Sequence, residues 1–173
     1  MSIEKNRSVA ENVEKDRSAF LESTKKFFLD GRHFKYADGR EQVIPAMWDV
    51  SGYLFNDGGS ILDQIDSEEG CELLGITREE FYSDDEIIDA LSDGILHFMT
   101  KATIDSRLLD YLDSLPVKAQ RIICPKVVNA IKDLQQLHES DSDSSLHEKY
   151  THAKLSDEYD WSQIIKELEN KIS

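Results

Sequence analysis

Six apolar residues, Ile87, Ile88, Leu91, Ile95, Phe98 and Met99, recur at the three- and four-residue spacing that places them on one face of an α-helix. Ser83 followed by Glu86 reads as a capping box, so the spacing predicts a helix from there to about Thr100. A helix with one apolar face must bury it against other elements, and similar patterns run along most of the chain. Val9, Val13, Phe20, Phe27 and Phe28, with Leu21 beside them, predict a first helix from Val9 to Leu29, capped by Ser8 or Asn6. Gly31, after Asp30, is placed to end it in the left-handed conformation.

Further along, Pro45 can open a helix to Phe55 whose apolar side is Met47, Trp48, Val50 and Leu54. Short helices follow: one capped by Ser60 and carrying Ile61, Leu62 and Ile65, one from Glu68 to Leu74 that stops at Gly75, and a turn begun by Thr77 with Glu80. Beyond the 83–100 helix, segments Ile104 to Asp113 and Val117 to His138 read as helical. Pro116 separates them, and Pro125 is expected to kink or split the second. A last helix, Asp157 to Ile172, carries Trp161, Ile164, Ile165 and Leu168. Between the first two helices, Asp38-Gly39 stands amid alternating residues and signals a type I′ hairpin, with Phe34 opposite Val43, Tyr36 opposite Glu41, and helices covering it. The expected fold is mainly α: a single-domain bundle of about six to eight helices with one small β-hairpin near residues 33–44. Residues 1–138 form the helical core, 139–148 (beginning Glu-Ser-Asp-Ser-Asp-Ser-Ser) a polar linker, and 149–173 a C-terminal helix packed on the core.

At 173 residues the chain is long enough to bury a sizeable core. Its apolar runs are too short to cross a bilayer, and Met1 to Asp16 lacks the apolar stretch of a signal peptide, so a cytoplasmic location is expected. Cys71 and Cys124 have apolar neighbours and read as two buried, reduced thiols.

The net charge of −15 is unevenly spread. Residues 49–99 hold fourteen acidic side chains against Arg78 alone, net −13, and no lysine occurs from residue 36 through 100. Asp85, Asp89 and Asp93 stand four apart, on the helix face away from Ile87, Leu91 and Ile95. Like charges at that spacing cost about 0.2–0.5 kcal/mol per pair in an isolated helix, so a directed field is the functional reading.

Motifs for chemistry fail on spacing. From Asp141, a calcium loop would need Gly and Glu where Leu146 and His152 stand. Among His33, His97, His138, His147 and His152, no two lie three or four apart as ligands on one helix face would. There is no phosphate loop and no nucleophile elbow. Leu74 to Glu80 carries one base, too few for a DNA reader. No catalytic residue, metal or cofactor is therefore expected. The functional expectation is an acidic inhibitor that masks the basic active site of a nucleic-acid-acting protein, most simply an immunity protein, or antitoxin, against a bacterial nuclease toxin. Its docking residues would be Asp85, Asp89, Asp93, Glu79, Glu80, Asp84, Glu86, Glu68 and Glu69, with Phe81 and Tyr82 as aromatic anchors. It would contact neither nucleic acid nor membrane. The alternatives are a regulatory adaptor or structural subunit with an unrelated partner, and a phage anti-defence mimic of nucleic acid.

Overall fold

The computed structural model describes residues 18–56, 60–139, 144–150 and 152–172. The expected caps Ser8 and Asn6, and the start of the first helix, lie outside them. Helix α1 (residues 18–30) ends at Gly31, whose φ of +87° is left-handed; a Cβ there would lie 2.5 Å from the Ile44 carbonyl oxygen. That close approach brings the end of α1 against an antiparallel hairpin, β1 (Arg32–Lys35) and β2 (Glu41–Ile44).

The hairpin is paired one residue away from the expected register: His33 faces Val43 and Lys35 faces Glu41. The turn explains the slip. Gly39 N–H donates to the Tyr36 carbonyl and Tyr36 N–H to that of Arg40, while only Gly39 in the loop has positive φ. A type I′ turn needs positive φ at both central residues; a longer loop with one left-handed glycine shifts the pairing by one. Among the described side chains of the hairpin, His33 and residues 35–43 are exposed and Ile44 is half-buried.

Helix α2 (Ala46–Leu54) follows extended Pro45. It turns Ala46, Val50 and Leu54 inward, and Met47 and Trp48 toward solvent, against expectation. The cause is α6 (Asp85–Met99), where a Cβ on Gly94 would meet Val50 Cβ at 2.4 Å. The missing side chain lets α2 seat Val50 on α6 and so fixes the rotation of α2. Gly94→Ala should therefore destabilise the fold by about 1–3 kcal/mol, overpacking outweighing the gain in helix propensity. A thermal melt should fall by several degrees; an unchanged or higher midpoint would show that the crossing is loose.

Ser60 caps α3 (Ile61–Ile65) in a capping box with Asp63; Ser67 caps α4 (Glu68–Leu74), which stops at left-handed Gly75; and Thr77 caps α5 (Arg78–Tyr82). The cap of α6 is Asp84 rather than Ser83: Asp84 Oδ1 accepts from Glu86 N–H at 3.0 Å and Ile87 N–H at 3.1 Å. A carboxylate one residue further on fits the same end and adds a favourable charge at the helix N-terminus. Asp105 caps α7 (Ser106–Ser114), and α8 (Val117–Glu139) continues past Pro125 rather than splitting there. Within the stretch expected as a linker, Ser144–Lys149 is helical (α9); residues 140–143 lie outside the described residues. Helix α10 (Trp161–Asn170), capped by Asp160, packs on α8. The periodicities miss one pairing, the parallel strands β3 (Thr103–Ile104) and β4 (Lys154–Leu155). The fold is mainly α. Its buried apolar residues form one cluster from Phe28 in α1 to Leu168 in α10, with Ile87, Ile88, Leu91 and Ile95 fully enclosed.

Candidate interaction surface

The carboxylates of residues 49–99 divide by what they touch. One group is spent inside the fold. Asp49 is buried and accepts from Ser60 Oγ at 2.7 Å. Asp84, half-buried, caps α6 and lies 3.3 Å from Lys25 Nζ, which also reaches Glu86 at 2.9 Å. Hydrogen bonds to Glu86 and Asp84 hold the Lys25 ammonium above its ordinary pKa. Asp85, although exposed, pairs with Lys118 at 2.9 Å, which holds its carboxyl below the usual range. Lysines supplied by α1 and α8 thus offset the acids at the start of α6, a compensation invisible within the segment itself.

The second group faces solvent. Asp89 and Asp93 continue the row begun by Asp85 on α6; Glu79 is exposed on α5; Glu68, Glu69 and Glu72 are exposed on α4. None of these six is ion-paired among the described residues. Glu80 is half-buried and makes an interaction within the fold. The two expected anchors, Phe81 and Tyr82, are both 0 % exposed. Phe81 packs edge-on to Phe28 at 5.5 Å between ring centroids, and Tyr82 belongs to the cluster described next, so neither can anchor a partner. A five-residue helix can be buried on one side through its last turn while its first-turn acids stay wet. Adjacency in sequence says little about shared exposure there.

The sequence reading also missed a partly buried polar cluster. Asp66, between α3 and α4, accepts from Arg78 Nε at 3.0 Å and Tyr82 OH at 3.0 Å through Oδ1, and from Tyr53 OH through Oδ2. Arg78 Nη1 donates to the Ser114 carbonyl at 2.7 Å and Nη2 to Ser114 Oγ at 3.0 Å, and its guanidinium lies 4.7 Å from the Tyr82 ring centroid. Tyr111 OH donates to Tyr82 OH at 3.1 Å. Side chains from α2 and α5 therefore meet on the carboxylate of the α3–α4 joint, with α7 joined to them through Tyr82 and Arg78, beside an open cleft of about 720 Å³ that Arg107 and Asp110 also line. Burial first, and then neighbouring phenols and Asp66, push the Tyr82 phenol well above its ordinary pKa; burial does the same for Tyr53 and Tyr111. At neutral pH these phenols are donors, and both Asp66 oxygens are occupied. The cluster ties α2, α5 and α7 to the α3–α4 joint. The one signal for it was Arg78, a single cation among fourteen acids, which calls for a carboxylate partner without saying which.

His147 and His152 are exposed, and among the described residues no three His, Cys, Asp or Glu side chains converge as a metal would require. Cys124 is buried; Cys71, expected to be buried too, is half-exposed and donates to the Ile65 carbonyl at 3.1 Å. Among the described residues no helix is long and apolar enough to cross a membrane. No protein-family model, curated protein or solved structure matches the chain.

Proposed function

We propose that this protein is an acidic inhibitor that binds a basic protein partner in the cytoplasm and masks its nucleic-acid-binding cleft, as an immunity protein masks a nuclease toxin. It performs no chemistry and needs no metal or cofactor. One observation carries the reading: Glu68, Glu69, Glu72, Glu79, Asp89 and Asp93, exposed on three successive helices, have no ion-pair partner among the described residues. Within the fold, acids in the first turns of α4, α5 and α6 are eased by the helix dipoles. Asp89 and Asp93, mid-helix on α6, have no such compensation, and a surface selected for stability alone would interleave lysine there. Complementary charge of this kind raises association rate and selects against acidic competitors. The nucleic-acid-mimic alternative is weaker, because Lys25 and Lys118 interrupt the acidic row at Asp84, Asp85 and Glu86.

The test begins with capture from the native host and identification of the partner as a basic nucleic-acid-acting protein. Association kinetics are then measured at several salt concentrations for wild type and for Asp89→Asn/Asp93→Asn. Asp85 is left intact because it holds Lys118. The double variant should fold normally and associate about two- to five-fold more slowly at low salt, with a flatter salt dependence. A non-basic partner, or rates that match wild type at every salt concentration, would remove the reading.

A further inference from the structure

With Phe81 and Tyr82 inside the core, the docking surface lacks the aromatic anchors expected of it. A groove of about 610 Å³ runs between α4 and α5. Its apolar lining is open at the half-exposed Cys71, with Ile65 and Ile76 almost wholly enclosed behind it, and at Gly75 the ring of Phe20 lies where a side chain would stand. Glu68 and Glu72 stand on its rim, one helical turn apart on α4, exposed and without an ion-pair partner among the described residues. Arg78 also lines the groove, but its charge is met by Asp66 and its terminal nitrogens by Ser114.

We infer that this groove seats a basic amphipathic segment of the partner, an apolar side chain lying against Cys71 with flanking lysines or arginines on Glu68 and Glu72. The inference rests on the reading that the partner is basic, and the charge of the rim selects the occupant. An acidic or neutral segment would satisfy the floor but leave both glutamates unmatched. A lysine or arginine also lays an apolar stem along the floor while its head reaches the rim. The groove thus supplies the recess for an anchor that Phe81 and Tyr82 cannot provide.

Cys71 is the natural reporter, since it lies in the groove while Cys124 is 0 % exposed. The full-length protein is alkylated with iodoacetamide alone, with an amphipathic leucine–lysine peptide, and with its leucine–glutamate counterpart. The lysine peptide should slow Cys71 alkylation about ten-fold when roughly nine-tenths of the sites are filled, and the glutamate peptide should not. Glu68→Gln/Glu72→Gln should weaken the lysine peptide about five-fold, whereas Asp89→Asn/Asp93→Asn should leave its affinity close to wild type. Alkylation unaffected by bound peptide, or equal weakening in both double variants, would mean diffuse attraction to an acidic protein and overturn the groove. A captured basic partner indifferent to Glu68 and Glu72 would remove the groove and leave the inhibitor reading. Peptide protection of Cys71 with no basic partner in the host would do the reverse.

Discussion

Replacing Asp66 by alanine should lower the thermal unfolding midpoint by about 4–10 °C, a large effect for one polar side chain. The side chain accepts from Arg78, Tyr53 and Tyr82, and its removal takes the acceptor from Arg78 Nε and from two phenols, while Arg78 keeps its bonds to Ser114. The Arg78 and Asp66 side chains are 32 % and 20 % exposed, and losing hydrogen bonds to a charged group in such a partly buried place costs about 2–3 kcal/mol. In a domain of this size each kcal/mol moves the midpoint by about 2–4 °C. Asp66→Asn keeps one acceptor in place and should lose less. Asp89→Ala, on the exposed row of α6, should stay within about 0.5 kcal/mol of wild type and serves as the control. If Asp66→Ala melted with Asp89→Ala, the clamp would contribute nothing to stability.

Alkali should unfold the molecule cooperatively. The phenols of Tyr82 and Tyr111 are buried, and burial raises both above the ordinary value. In the unfolded chain a tyrosine releases its proton near pH ~10, so above that pH the unfolded state holds fewer protons than the folded one. Stability is fully present below about pH 10 and falls as pH rises toward the folded-state values. Each of the two phenols contributes a loss of up to about 1.4 kcal/mol per pH unit. Tyr53 and Tyr150, raised first by burial and then by Asp66 and Asp133 respectively, act in the same direction. Phenolate absorbance and helical circular dichroism, followed together, should show the signal of the buried rings emerging as helicity is lost. Complete ionisation with helicity intact would place these phenols in contact with water.

What the sequence could say followed from how local each feature is. The apolar face of α6, the left-handed glycines after α1 and α4, and the caps Ser60 and Thr77 depend on a few consecutive residues, and each is found where the pattern puts it. The hairpin is legible too, but its register turns on whether Asp38 or only Gly39 adopts positive φ, which the dipeptide Asp-Gly does not decide. Rotation of a helix is harder still. Of the expected apolar side Met47, Trp48, Val50 and Leu54, the second pair is buried, but seating Val50 on Gly94, far along the chain, turns Met47 and Trp48 outward. Among the proposed docking residues, the exposed row of α6 was readable from four-residue spacing, and so was the surplus of acid. The lysines that offset part of it come from α1 and α8. The cluster on Asp66 gathers residues from Tyr53 to Ser114, a convergence that no window along the chain contains.

The parallel pair β3–β4 sets an order of events. Lys154 N–H donates to the Ala102 carbonyl and Ser156 N–H to that of Ile104, so the short joint between α6 and α7 is completed by chain that lies beyond α8 and α9. Such a contact carries a long loop and is entropically late. Until residues 154–156 dock, the Ala102 and Ile104 carbonyls lack these partners, so the α6–α7 joint is finished only when the chain beyond α9 is in place.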